Sequence, residues 1–346
     1  MVQQFMRIDP KIAKILENAW AGVSASRQDC LHLLACNEHS LEAALARTAA
    51  SHIIREKSDN SAIILGQIGL EAAPCPGNCG FCSFGKGHTS FEKSQLSEDA
   101  FAAKVRGFCA EDGLYGLYLM AMHAYDLDFF LRRARLAREL LRGPVQLLAN
   151  VGDTGPDAFR EMKKAGITGV YHVCRLGEGR TTSLDPEQRI KTMENALDAG
   201  LQLFSCLEPV GPEHSDEELV DNLFIGISLG CAQHAAMRRV PVPGTPLERR
   251  GYISNLRLGQ ITAVVALAAF AMPGMTYIGV HEPTEIGCVS GANVVTAETG
   301  VNPRDPATDT SANRGMDMAA CRNMLYDCGF HFIRRGDESK IPLGKR

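Results

Sequence analysis

Neither sign of charge dominates this chain. Its 36 lysines and arginines stand against 40 aspartates and glutamates, a net charge of −4. That excludes a broad nucleic-acid footprint. No apolar run is long enough for a bilayer, since the longest, Ile261 to Met272, falls short of the roughly 20 residues a spanning helix needs. Met1 to Arg7 has no charged start followed by an apolar core, so no leader peptide is expected. Without one, twelve cysteines do not read as a secreted disulfide scaffold, and a reducing cytoplasm is the expected location. Internal repeats, low-complexity tracts and flexible linkers are also missing. What remains is an ordinary globular composition, 45% hydrophobic and 22% charged over 346 residues. That length suits one large barrel domain or two smaller ones.

The first stretch reads as helical. Asp9-Pro10 supplies a cap and a first-turn proline, and Ser40 opens a second segment from Leu41 to Lys57. Strand and helix signals then alternate. Strands are expected at Ala62–Gln67, Tyr115–Ala121, Val145–Val151, Ile167–Cys174, Leu201–Pro209, Ala232–Val242, Thr276–Val280 and Ala292–Ala297. Helices between them start at caps such as Ser97 and Asp185-Pro186. Alternation of this kind implies parallel strands covered by helices, and eight units fit a closed (β/α)8 TIM-type barrel, an α/β fold. Residues 1–60 form a helical extension, 61–300 the barrel core, and 255–340 a C-terminal region that completes it. From Gly300 the tail is turn-rich and polar, then helical from Gly315 to Asp327.

Three thiols crowd the run Pro74-Cys75-Pro76-Gly77-Asn78-Cys79-Gly80-Phe81-Cys82. A structural zinc site wants four protein ligands in a closed tetrahedron. Three thiolates in one loop suit a cubane iron–sulfur cluster better, each holding one iron while the fourth iron stays open. A zinc knuckle completed by His88 is the competing reading. Elsewhere, polar residues gather where a barrel does its chemistry, at the C-terminal strand ends. Strand four runs into His172, Cys174, Arg175 and Glu178, strand five into Cys206 and Glu208, strand six into Arg238 and Arg239, and strand seven into His281. Arginine grips carboxylates in bidentate fashion, and Glu accepts from hydroxyls and ammonium. A substrate cavity built from His172, Arg175, Glu208, Arg238, Arg239 and His281 is therefore expected. Each of them taken singly is as readily a rim salt bridge.

The cysteine loop closely resembles that of the radical S-adenosylmethionine (SAM) enzymes. In them a [4Fe–4S] cluster on three cysteines chelates SAM at its open iron and cleaves it to a 5′-deoxyadenosyl radical. The resemblance runs from about Ala43 to Gly336 and is closest to the biotin synthase branch, which includes HydE and methylornithine synthase. Gly244-Thr245-Pro246-Leu247, Gly291-Ala292-Asn293 and Val210-Gly211 carry it. The first two are similar to branch loops, the second in a biotin-and-thiamine-synthesis-associated region. By that resemblance Cys75, Cys79 and Cys82 hold the cluster, and Phe81, Met120, Glu178 and Gly211 contact SAM. Two departures stand out. Strand four lacks the Asn-rich motif of biotin synthase, and strands two and three lack its cysteines for a second cluster, so dethiobiotin is not the expected substrate.

Cys174, Cys206 and Cys288 lie at or near strand ends and are candidates for an auxiliary iron–sulfur cluster. Buried thiols are otherwise common small hydrophobes, the reading given to Cys30, Cys36, Cys109, Cys231, Cys321 and Cys328. The expected activity is hydrogen abstraction from an unactivated C–H bond in cofactor biosynthesis, with sulfur insertion as its outcome. A HydE-like or methylornithine-like rearrangement is the alternative, and a non-catalytic iron–sulfur or zinc scaffold a third. The resemblance implies a small-molecule or carrier-protein-bound substrate and an electron donor such as flavodoxin or ferredoxin. It implies neither nucleic acid nor membrane.

Overall fold

The structure, a computed structural model, describes residues 8–344. The leader reading at Met1 to Arg7 lies outside them. Three helices come first, α1 Pro10–Trp20, α2 Arg27–Ala35 and α3 Leu41–Ser58. Asp9, Ser26 and Ser40 accept from the backbone N–H groups that each helix start leaves free.

Eight parallel strands follow: β1 Ser61–Gly69, β2 Leu114–Met120, β3 Gln146–Asn150, β4 Gly169–Tyr171, β5 Gln202–Val210, β6 Gln233–Arg238, β7 Tyr277–His281 and β8 Val294–Gly300. Each pairs with the next, and β8 returns to β1 with Val294 opposite Ile63. The sheet is thus a closed (β/α)8 TIM-type barrel. Helices α4 Glu98–Phe108, α5 Leu127–Leu140, α6 Pro156–Lys164, α7 Pro186–Asp198, α8 Asp216–Ser228 and α9 Asn255–Ala269 cover it, with short α10 Glu285–Cys288 and α11 Met318–Asp327.

Period-two alternation divides every strand. On β1, Ile63 and Leu65 point into the barrel while Ile64 and Ile68 pack toward the helices. Parallel strands covered on both sides bury both sets, hence the continuous apolar runs. The run from Ile261 is most of α9, buried at every residue from Leu258 to Ala269. It is apolar all round because it is sandwiched: Gln260 donates to Leu33 and Cys36 carbonyls on one side, and the barrel lies on the other. Among the described residues no helix is long and apolar enough to cross a membrane.

Two strands are shorter than expected by more than two residues. β6 ends at Arg238 rather than Val242, because Pro241 and Pro243 cannot donate to a ladder. β4 keeps only Gly169–Tyr171, and a turn with positive φ at Gly177 and Gly179 follows. The tail adds a hairpin, β9 Phe332–Arg334 and β10 Lys340–Pro342, with β9 parallel to β1. Glu338 in its turn closes the N-terminal end of the barrel, accepting from the Tyr115 and Tyr277 hydroxyls.

Candidate active site

The cysteine loop leaves β1 at its C-terminal end and folds over the barrel mouth. Asn78 takes a left-handed φ of 45°, which its short polar side chain tolerates. Its Oδ1 accepts from Gly87 N at 2.8 Å. Gly80 N donates to Thr181 O, Leu247 N to Gly80 O, and Ser83 N to Pro303 O. The loop is therefore pinned by three other segments, one of them the Gly244–Leu247 turn. Cys75, Cys79 and Cys82 are free thiols facing one cavity, and Phe84 N points at Cys82 Sγ from 3.4 Å.

Do these residues fit a cluster? Among the described residues no three His, Cys, Asp or Glu side chains gather around a point tightly enough for one ion. The ligands of a zinc knuckle would converge on a single metal. Thiolates that each hold a different iron are spaced more widely. His88 is also committed elsewhere, with Nε2 2.8 Å from the Cys82 carbonyl. Burial pushes the Cys79 thiol up to about 11, against the lowering pull of Arg175. Burial, then Cys79, push Cys82 up to about 12. Cationic iron is the kind of partner that draws protons off such thiols. The donor set fits a cluster.

The cavity runs from this loop into the barrel, with about 1090 Å³ of empty space including its mouth. Phe81, Met120, Arg175, Glu208 and His281 line it, the last three as expected from their strand-end positions. Arg175 Nε donates to Glu208 Oε1 at 2.9 Å, and the Tyr171 hydroxyl donates to Oε2. Burial would raise the Glu208 carboxyl, but Arg175 and the Tyr171 hydrogen bond outweigh it and hold it below the usual range. His281 is pushed down by burial, Glu208 opposing, so it stands neutral at pH 7.

Sequence reasoning missed the other side of this chamber. Gln67 on β1, Asn150 on β3 and Glu298 on β8 also line the cavity. Asn150 Nδ2 donates to Gln67 Oε1, and Gln67 Nε2 to Glu298 Oε1, both at 3.1 Å. All three continue the inward alternation of their strands, and that period was the available signal. Arg304 and Arg314 arrive on the strap 301–316 and pair with both Glu298 and Glu282. Nothing local in the sequence marks them.

Several expected residues lie elsewhere. Arg238 falls on the outward register of β6, where Met237 takes the inward place, and bonds Asn255. Arg239 is captured by Glu213 and the Gly251 carbonyl. Gly211 abuts that pair, and a Cβ there would sit 2.3 Å from Arg239 Nη1. His172 points outward from β4, between the Val151 carbonyl at 3.2 Å and Asp153 at 3.3 Å. Glu178 turns back to accept from Arg175 N and Thr182 Oγ1, holding the turn that presents Arg175. Cys174, Cys206 and Cys288 do not share a cavity. Cys206 belongs to the barrel interior, Cys174 sits near Glu178 and Arg189, and Cys288, the last residue of α10, lies against Cys328. Neighbouring strand-end residues point to opposite faces, so proximity in sequence did not become proximity in space.

Four buried polar atoms on the cavity wall have no partner: Tyr118 Oη, His123 Nδ1, His281 Nε2 and Thr296 Oγ1. Leaving such groups unmet costs about 1–3 kcal/mol each. All four belong to residues that line the one chamber.

No family model matches the chain. It is 25% identical over 338 residues to a biotin synthase of Nocardioides sp., covering 94% of this chain and 85% of that one. A biotin synthase of Saccharopolyspora erythraea is 26% identical over 263 residues, covering 73% and 72%. Among solved structures, methylornithine synthase (PylB) superposes with a TM-score of 0.71 at 16% identity, over 82% of this chain and 85% of that one. The [FeFe]-hydrogenase maturase HydG superposes with a TM-score of 0.76 at 14% identity, over 93% and 75%. At these identities the structural likeness is one of fold.

Proposed function

We propose that this chain is an enzyme of the radical SAM superfamily, in the biotin synthase/HydE-like branch, and that it removes a hydrogen atom from an unactivated C–H bond of a small polar substrate bound inside the barrel. The observation that carries the reading is one cavity that has three free thiols at its mouth and residues with unpartnered polar atoms in its wall. Cys75, Cys79 and Cys82 would hold a [4Fe–4S] cluster. Such a cluster, with SAM bound and one electron from a reductant, supplies a 5′-deoxyadenosyl radical.

The chain's own residues do the rest. Phe81 and Met120 give the mouth an apolar wall for adenosine and the methionyl chain. Arg175, fixed by Glu208 and by the turn that Glu178 holds, offers a guanidinium to a carboxylate. Glu208 stays ionised and His281 neutral, so both present acceptors. The apolar roof of Met122, Phe84 and Leu184 limits water, which protects a radical from side reactions. In functional terms residues 61–300 would form the reaction chamber, 255–340 close it, and 8–60 brace it.

We favour a rearrangement as the outcome. Sulfur insertion would use a second cluster as sulfur source, and Cys174, Cys206 and Cys288 are too dispersed to hold one. The biotin synthase relatives keep insertion as the second reading. Anaerobic reconstitution, an iron count and a Mössbauer spectrum separate them: one cubane per chain favours rearrangement, two favour insertion. The parent reading is tested by reducing the loaded protein with SAM. We expect 5′-deoxyadenosine, and none from a fully loaded cluster would overturn it in favour of a scaffold.

A further inference from the structure

Two cysteines outside the cavity touch each other. The Cys288 thiol, at the end of α10, donates to Cys328 Sγ, and Cys328 Sγ donates in turn to the Glu285 carbonyl at 3.8 Å. The two sulfurs therefore meet on α10, although β8 and the strap 301–316 lie between them in the chain. Cys328 is held in place from its other side as well. It ends α11, its backbone N–H bonding back to the Met324 carbonyl. Arg55 of α3 donates to the Cys328 and Gly329 carbonyls at 2.7 and 3.0 Å and lies over the Phe330 ring. Sulfurs fixed in contact by three helices can be bridged without moving the backbone. Cys321 stands two helical turns before Cys328, about 10 Å along the axis, too far to bridge to it.

The pair lies one layer beneath the surface. Cys288 is sealed and Cys328 is 9% exposed, while Val289, Asp327 and Gly329 beside them are open to solvent. The hydrogen bond from Cys288 lowers the Cys328 thiol, with burial opposing it. The same bond, and then burial, raise the Cys288 thiol well above its usual range. The sulfur nearer solvent is thus the readier thiolate, and the sealed sulfur stands behind it. Attacking and resolving thiols are arranged in this way. A cluster would need a chamber beside the sulfurs, but a disulfide needs only their contact.

We infer that Cys288 and Cys328 are a modification site, a thiol pair that closes reversibly to a disulfide by exchange with a low-molecular-weight disulfide. The Cys328 thiolate attacks that oxidant, forming a mixed disulfide and releasing one small thiolate. Cys288 then loses its proton and attacks the Cys328 sulfur, releasing the second. Two protein thiols are oxidised to one S–S bond, and the small disulfide is reduced to two thiols. Neither a cluster nor SAM takes part. The bridge closes the stretch that carries β8 and the strap 301–316 into one covalent loop.

The test is a thiol map. Cluster-loaded protein is incubated anaerobically with hydroxyethyl disulfide, quenched in acid, alkylated, digested and analysed by mass spectrometry. Most chains should carry one peptide pair joined through Cys288 and Cys328, released again by dithiothreitol. The joined protein should melt roughly 5 °C higher, since the bridge restricts the unfolded chain. Cys328→Ser should lose both the link and the gain. Should Cys328→Ser fail to fold, Cys288→Ser decides: without a resolving thiol, the hydroxyethyl group should stay on Cys328. Both thiols still free after exposure, a link through Cys321, or a mixed disulfide that persists on Cys328 of the unaltered protein would overturn the inference. So would the same rise in melting temperature in either variant.

Discussion

Two groups of three cysteines occupy this molecule, and they differ in everything except number. Cys75, Cys79 and Cys82 sit on a turn-rich loop at a cavity mouth, with an arginine nearby and a backbone N–H aimed at one sulfur. Cys288, Cys321 and Cys328 also lie close together, but on α10 and at the buried face and end of α11, in the apolar core. The second group has thiol neighbours without a chamber, and the first has a chamber with polar groups in want of a ligand. Nearness of sulfurs is therefore weak evidence for a cluster. Access, electropositive surroundings and room beside the sulfurs distinguish a site from a core.

The sharpest way to break the comparison is to remove one thiol from each group. Cys79→Ala should abolish both the iron–sulfur absorbance and 5′-deoxyadenosine formation, with far-UV circular dichroism unchanged. Cys288→Ala should keep both activities and lower the urea midpoint by the equivalent of about 1 kcal/mol, the cost of a small core cavity. If Cys288→Ala lost iron instead, the distinction would collapse.

Within the chamber, Tyr118→Phe tests whether unmet polar atoms mark function. Removing a buried hydroxyl with no partner should leave the ligand-free protein as stable or up to about 1 kcal/mol more so. Substrate turnover should fall while SAM cleavage persists. A clear loss of stability would mean the hydroxyl has a structural partner.

His172 lies behind the wall, and there the effect should be one of stability. Burial and then Arg189 lower its pKa from 6.5 to about 3, against the raising pull of Asp153. Between those values the unfolded chain binds the extra proton, so stability rises with pH across the window and is lost as pH falls from 6.5 toward 3. His172→Gln should flatten that dependence, measured as urea midpoints at pH 4.5 and pH 7. An unchanged slope would show that other groups set the acid limit.

The smallest effect is expected at Arg238, turned outward onto Asn255 and Tyr252. Arg238→Ala should alter stability by no more than about 0.5 kcal/mol and leave SAM cleavage intact. A large loss of activity would return Arg238 to the chamber.

The eight barrel strands and the cysteine loop were legible in the sequence because both are local. A strand is a run of apolar residues between breakers, and a cluster loop is three thiols within one turn of chain. Cap chemistry at Asp9, Ser97 and Asp185 set helix starts for the same reason. Strand-end polarity was legible too, but which face a residue takes depends on strand register, and that follows from closure of the whole sheet. Hence Arg175, Glu208 and His281 reach the chamber while His172 and Arg238 turn away. Arg304 and Arg314 were beyond sequence reasoning altogether. Long-range ion pairs carry them to the chamber on an irregular strap, and no periodicity records that. The chain's local chemistry determined that a loop of three thiols would form. Only the closed barrel decided what faces it, because closure alone converts period-two alternation into one shared interior.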